Sequence, residues 1–334
     1  MTGIVLRRLA LLPVLLWFVA TVVFLLLRIL PGDIINVIAA NVSDVAERQR
    51  MAAELGLNDP VWAQYVQYLG GLVRGDMGIS FISGRPVTDR LAATVPVTVE
   101  LSVAAALIMG AFGVATGILA AAFRGTAVDA GLRFVATVLF SVPWFWFGIL
   151  LILVFSVNLG WLPSFGRLPA GVIYEPATNF VLIDAVLTGQ WHVVGPWARH
   201  LLLPALTVGL TTAGFVTRIT RASVIGTMKA DFVRTARMKG MGEGRVFRAH
   251  ILRNAALAIV TIVGLQFGAM LGGSVIAEVV FSYPGVGRLM VDAIFQRDYV
   301  TVQGAALVIS ALYILVNLAT DLAYAGIDPR LRTS

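Results

Sequence analysis

Apolar residues in this chain do not alternate with polar ones. They come in long continuous runs separated by charged segments. Six runs are free or nearly free of Asp, Glu, Lys and Arg: Leu9–Leu27, Leu101–Phe123, Phe134–Gly166, Leu201–Thr217, Asn254–Ala277 and Val300–Thr320. Crossing the hydrocarbon core of a bilayer as a helix takes about 20 apolar residues. Runs without alternation specify helices, because a transmembrane strand alternates lipid-facing with lumen-facing positions. The third run is too long for one crossing, and Gly160-Trp161 and Pro163 mark its exit into a loop. A shorter patch, Phe180–Leu187, carries Asp184 and reads as extramembrane or interfacial. The pattern therefore predicts an all-α polytopic membrane protein with six transmembrane helices.

Composition agrees with that reading. Of 334 residues, 58% are hydrophobic and 13% charged, with a mean hydropathy of +0.88. A soluble domain carries about 25% charged residues, and a disordered chain is poor in hydrophobic residues and rich in charge; both classes are excluded. With no cysteine and three scattered histidines, His192, His200 and His250, no disulfide, thiolate or spaced metal-ligand set is indicated. No cofactor or catalytic residue is indicated either. The net charge of +7 raises nucleic acid as a partner, but its distribution along the chain argues for membrane topology instead.

Placing the N-terminus inside puts 15 of the 25 basic residues on inner segments, nine of them within 218–253. Outer segment 33–90 is net acidic, with seven Asp or Glu against five Arg. Basic residues mark the cytoplasmic side, so both termini are expected to be cytoplasmic. Arg7-Arg8 before an apolar stretch resembles a secretory signal. However, the stretch is near 20 residues and no small-x-small cleavage site follows, so a retained first helix is expected. Four parts result: 1–30 with the first span, an extracytoplasmic segment 31–95, a transmembrane domain 96–325 with the inner loop 218–253, and a tail 326–334.

The inner loop has its own pattern. Residues Phe232 to Lys239 can form two helical turns, with Phe232, Ala236 and Met238 apolar among Arg and Lys. Asp231 stands where a carboxylate caps a first turn, and Gly240 and Gly242 supply a stop. Such a helix can rest on anionic lipid, fill a groove on a cytoplasmic partner, or lie in a solvated basic loop. The residues alone leave these three open.

The stretch Asp231-Phe232-Val233-Arg234-Thr235-Ala236-Arg237-Met238-Lys239-Gly240, with the return His250-Ile251-Leu252-Arg253-Asn254-Ala255, resembles the coupling loop of binding-protein-dependent ABC transporter permeases. Its Arg234-Thr235-Ala236 and Leu252-Arg253, in place of Glu-Ala-Ala and Leu-Pro, resemble the dipeptide, oligopeptide and nickel branch. So do Pro31-Gly32-Asp33, Leu55-Gly56-Leu57, Gln64-Tyr65, Gly75-Asp76-Met77-Gly78, the run Glu278 to Arg288, Arg297-Asp298-Tyr299 and Ile327-Asp328-Pro329-Arg330. The resemblance covers nearly the whole chain and implies a type I ABC importer permease, the first-permease subunit, in the bacterial cytoplasmic membrane. It further implies a heterodimer with a second homologous permease, two cytoplasmic ATP-binding subunits and an extracytoplasmic solute-binding protein, with lipid around the spans. It assigns ATPase coupling to Asp231, Arg234, Thr235, Ala236 and Gly240. Dipeptides or oligopeptides are the implied solutes, with opines, glutathione and nickel chelates as rivals.

Other features carry two readings. Ser141 and Pro143, within Ser141-Val142-Pro143-Trp144, predict a kink that can line a translocation path or merely pack. Glu278, Pro284 and Gly285 fall, under the resemblance, near an extracellular gate. Glu100, at the start of the second run, reads as an interfacial or helix N-terminal acid in preference to an ion-pathway group. Gly264, Gly268, Gly272 and Gly273 suit either a seam with the second permease or packing within the chain. The alternative class is a self-contained secondary transporter or channel, against which stand charge-poor spans and the lack of a half-to-half repeat. The only lysines, Lys229 and Lys239, fit no phosphate-binding loop, so ATP hydrolysis must lie in other subunits.

Overall fold

Pro143 divides the third apolar run more sharply than a kink. In the computed structural model, which describes residues 2–29, 50, 58–80 and 82–327, helix α4 (Ala127–Ser141) and helix α5 (Trp144–Leu151) meet at 106°. A proline disfavours helical backbone in the residue before it, and Val142 is extended (φ −82°, ψ 129°). α5 continues through a π-turn, Ile152–Asn158, and the chain leaves at Gly160, whose φ is +62°.

Before this broken span come α1 (Thr2–Ile29), α2 (Val61–Val73) and α3 (Val87–Ala122). After it come α6 (Val181–Thr188), α7 (Val194–Met228), α8 (Asp231–Met238), α9 (Arg253–Val280), α10 (Val286–Phe295) and α11 (Tyr299–Ile327). No strand occurs among the described residues, only an isolated bridge between Ile79 and Pro86. Among the described residues, four helical stretches, containing α3, α7, α9 and α11, are long and apolar enough to cross a membrane, and the bent pair, counted as one span, is a fifth. The first apolar run lies in α1, as the helical stretch Leu11–Leu26. Pro31-Gly32-Asp33, Leu55-Gly56-Leu57 and the segment from Asp328 onward lie outside the described residues.

α7 is the axis of the bundle. Its most apolar 18-residue window is 78% buried, against 28% in α3, α9 and α11. The latter three therefore offer most of their surface to lipid or to another chain. α3 crosses α7 where side chains are absent: a methyl at Gly113 would meet Val216 at 2.8 Å, one at Gly117 would meet Thr220 at 2.6 Å, and one at Gly209 would meet Ile108 at 2.9 Å. Thr116 and Thr217 share a 2.8 Å hydroxyl–hydroxyl hydrogen bond in the same seam.

One expectation changes here, and one open alternative narrows. α3 begins at Val87, so it runs unbroken across 95/96, and Glu100 sits well inside a helix, not at its N-terminus. Three of the four span-five glycines pack within the chain, Gly264 against Thr320, Gly268 against Asn317 and Gly273 against the Trp144 ring, while Gly272 faces open space.

Candidate functional site

α8 begins where Lys229-Ala230 ends α7. Asp231 does not cap it: the preceding Ala230 takes the cap position and no side chain accepts there. Asp231 sits in the first turn, where its charge still favours the helix dipole. The buried face consists of Val233 and Ala236, packed with Ala121 of α3, Val224 of α7, Val246 and Ile251 of the following π-turn, and Ala255 and Ile259 of α9. Ala236 is therefore small because its own chain closes over it. The expected apolar face shifts accordingly: Phe232 is 43% exposed and Met238 71% exposed. Arg234, Thr235 and Lys239 are exposed beside them, and Arg237 is held by Glu243 through a fork of 2.8 and 3.1 Å.

The stop is a Schellman turn. Gly240 N–H donates to the Arg237 carbonyl at 2.9 Å and Met241 N–H to that of Ala236 at 3.3 Å. Gly240 has φ +77° with open space around its α-carbon, so backbone conformation alone requires glycine.

Two residues of α3 organise the opposite end of the bundle. Thr98 donates to Glu278 Oε1 of α9 at 2.7 Å and accepts from Val286 N–H at 2.8 Å, while Arg288 N–H donates to Glu278 Oε2 at 3.0 Å. Glu278 and Gly285 are buried, Pro284 is exposed, and Ser282 takes a positive φ of 49° to make the turn. Two residues on, Glu100 accepts from Arg167 at 2.6 Å, from Val181 N–H at 2.6 Å and from Trp197 Nε1 at 3.1 Å. Gly166 N–H donates to the Phe281 carbonyl at 3.0 Å, so the loops anchored by Thr98 and Glu100 are tied to each other.

The 160–193 connection has an internal anchor too. Asp184, fully buried, accepts from Tyr174 Oη at 2.6 Å and from Thr178 N–H and Oγ1 at 2.8 and 2.7 Å. Burial pushes its carboxyl up, but the hydrogen bonds from Tyr174, Thr178 and Ala177 more than offset this, and it stays below the ordinary range. Burial and the bond to Asp184 raise the Tyr174 hydroxyl.

Ser141 and Pro143 are exposed at the α4–α5 break. The helix after the break, α5, reaches the Glu278 end of α9, with Gly148 lying 3.1 Å from Phe281 by its would-be methyl. Sequence reasoning missed Thr98 and Arg167 because their partners are far away in the chain. It also missed a cluster at the α8 end in which Arg221 of α7 forks Asp129 of α4 at 2.7 and 2.8 Å. The one local signal for that cluster is Thr126-x-x-Asp129, a capping pattern. No group of three or more metal-ligating side chains occurs among the described residues.

A central helix clasped by others, a broken span and a short helix on the basic side together define an ABC importer permease fold. The fold matches that of a chain in inward-facing structures of the MetNI methionine ABC transporter, with a TM-score of 0.53 at 17% identity, covering 71% of this chain and 96% of that one. Residues 113–333 match the family described as binding-protein-dependent transport system inner membrane component. Residues 1–102 match the N-terminal model of such membrane components. The chain belongs to that family and is the permease subunit of an ABC importer, a class in which separate subunits hydrolyse ATP. It is 40% identical to the di/tripeptide transport system permease protein DppB of Pseudomonas aeruginosa (strain UCBPP-PA14), over 99% of both chains. It is 38% identical to the dipeptide transport system permease protein DppB of Escherichia coli (strain K12), again over 99% of both. It is 39% identical to the glutathione transport system permease protein GsiC of Escherichia coli (strain K12), over 98% of this chain and 97% of that one.

Proposed function

We propose that this permease imports short peptides across the bacterial cytoplasmic membrane. It pairs with a second homologous permease, receives its solute from an extracytoplasmic binding protein, and is driven by two ATP-hydrolysing subunits, one of which docks on α8. The observation that carries the docking assignment is the outward face of α8, where Phe232 and Met238 stand exposed beside Arg234 and Lys239. Exposed apolar side chains set among cations suit a cleft with an apolar floor and acidic rim. Thr235 lies on this face, Asp231 opens the helix, and Ala236 and Gly240 hold its packing and its exit. The basic surplus of 218–253 supports a cytoplasmic position for this side and for both termini. At the other end, Glu278, Pro284 and Gly285 form the outer gate, and Ser141 and Pro143 at the break line the translocation path.

Full-length likeness to permeases named for dipeptide, di/tripeptide and glutathione transport supports a small peptide as solute. The test is co-expression with the neighbouring ATPase, permease and binding-protein genes. Phe232→Ala with Met238→Ala is expected to abolish copurification of the ATPase subunits and peptide uptake while the permease level in the membrane stays normal. Retained copurification and uptake would refute the docking face. Ala236→Asp is the wrong probe, because it buries a carboxylate inside the chain. Competition of labelled dipeptide uptake by glutathione separates the two solutes, and uptake by the permease alone down a proton or sodium gradient would favour a secondary transporter.

A further inference from the structure

α7 is the stem of the inner loop: it ends at Met228, and α8 starts at Asp231. A displacement of α8 is therefore passed to this end of α7 through the chain, as well as to α9 through the π-turn on which Val233 and Ala236 pack. Arg221 lies two turns above that end, and its guanidinium reaches sideways to α4, with Nε on Asp129 Oδ1 at 2.7 Å and Nη2 on Oδ2 at 2.8 Å. Asp129 is 1% exposed, and its carboxylate also accepts from Gly125 N–H at 3.0 Å and meets Arg133 at 3.3 Å. Higher on the same two helices, Arg218 lies over the Phe140 ring at 5.4 Å, and Gly214 abuts the Ala136 carbonyl and Phe140. Arg221, Arg218 and Gly214 form one stripe of α7, facing the stripe Asp129, Ala136 and Phe140 of α4, so the helices run antiparallel and α4 ends at the break beside Pro143.

These contacts differ in what they resist. The Gly214–Ala136 approach is steric and only prevents the helices from closing further. The bidentate fork resists separation and sliding, because two parallel hydrogen bonds between charged groups fix both distance and direction. Packing alone does not need a buried ion pair here, since well-packed apolar residues can stabilise a fold as well. We propose that Asp129 and Arg221 are positioning residues for transport: their fork makes α4, and with it the break at Val142-Pro143, follow α7 when ATP-driven motion displaces α8. The proposal rests on the assignment of α8 as the docking helix.

The test uses the assembled importer in vesicles, with solute uptake and ATP hydrolysis measured together and normalised to assembled complex. Asp129→Asn is expected to lower uptake per ATP hydrolysed about tenfold, a loss of ordinary size for a coupling free energy. Arg221→Lys keeps the charge but not the fork and is expected to fall between Asp129→Asn and wild type. Arg133→Gln removes only the partly exposed third partner and is expected to leave the ratio at the wild-type value. If Asp129→Asn lowers uptake and hydrolysis in proportion, leaving their ratio unchanged, the pair only stabilises the fold and the proposal is overturned. Should Asp129→Asn not assemble, a wild-type ratio in Arg221→Lys overturns it equally. Failure of the α8 assignment is separately visible, as an undiminished ATPase copurification in the Phe232→Ala, Met238→Ala variant.

Discussion

Replacing Gly285 with alanine isolates one of the two polar anchors that hold the loops at the Glu278 end of the bundle. Gly285 has φ −92° and ψ −178°, extended backbone that any residue adopts, so the chain's conformation does not demand glycine. Glu278 does. The carboxyl carbon and both oxygens of Glu278 occupy the space a methyl on Gly285 would take. To admit the methyl, Glu278 must withdraw from Thr98 Oγ1 at 2.7 Å and from Arg288 N–H at 3.0 Å. At about 1.5 kcal/mol for each hydrogen bond, the loss is about 3 kcal/mol, roughly a hundredfold in the folding equilibrium. That is at the upper end of the ~1–3 kcal/mol typical of overpacked cores. The assay is a two-residue cycle read by denaturant or thermal unfolding of the purified protein in detergent. Glu278→Ala alone leaves the Arg288 N–H unpaired and is expected to cost about as much as Gly285→Ala. In that background the vacated space accepts the methyl, so Gly285→Ala should cost little more, giving a coupling energy of about 3 kcal/mol. A Gly285→Ala that is equally damaging with and without Glu278 would refute the reasoning and move the cause to the loop itself.

Three further outcomes follow from the same geometry. Gly240→Ala meets no neighbour but forces an L-residue to φ +77°, at about 1–2 kcal/mol; hydrogen exchange should show faster opening of α8 with the spans unchanged. Glu100→Gln leaves the Arg167 side chain, 10% exposed, without its charge partner, so about 3–5 kcal/mol should be lost and the 160–193 connection should become sensitive to protease, whereas Glu100→Gln with Arg167→Met should recover part of the loss. Asp184 titrates lower in the folded chain than in the unfolded one. Its stabilising contribution is thus complete above the ordinary aspartate value of about 3.9 and disappears as pH falls through the lower folded value. Exchange of the Thr178 amide should accelerate there, and Asp184→Asn should remove that pH dependence.

Much of the architecture is legible without coordinates, and for a physical reason. A bilayer enforces one rule at every position it touches, so spans appear as uncharged runs between charged segments. Local chemistry is equally readable: the Schellman stop at Gly240 and the break at Pro143 follow from what glycine and proline permit in their own backbone. The inner loop's motif is contiguous, which is why its residues could be named from sequence, although the face they present could not. Phe232 and Met238 look like the apolar stripe of an amphipathic helix, but the groove between α3, α7 and α9 takes Val233 and Ala236 instead.

What the sequence by itself determined, then, is everything set by a residue and its neighbours in the chain: which segments are apolar, where the helices turn or break, and which side is basic. What only the tertiary structure decided is which distant side chains meet. Thr98 with Glu278, Glu100 with Arg167 and Asp129 with Arg221 are 180, 67 and 92 residues apart. No local preference encodes such pairs. Asp129 reaches Arg221 because α4 and α7 close up at Gly214, whereas Thr98 joins α3 to α9 and Glu100 joins α3 to the 160–193 connection.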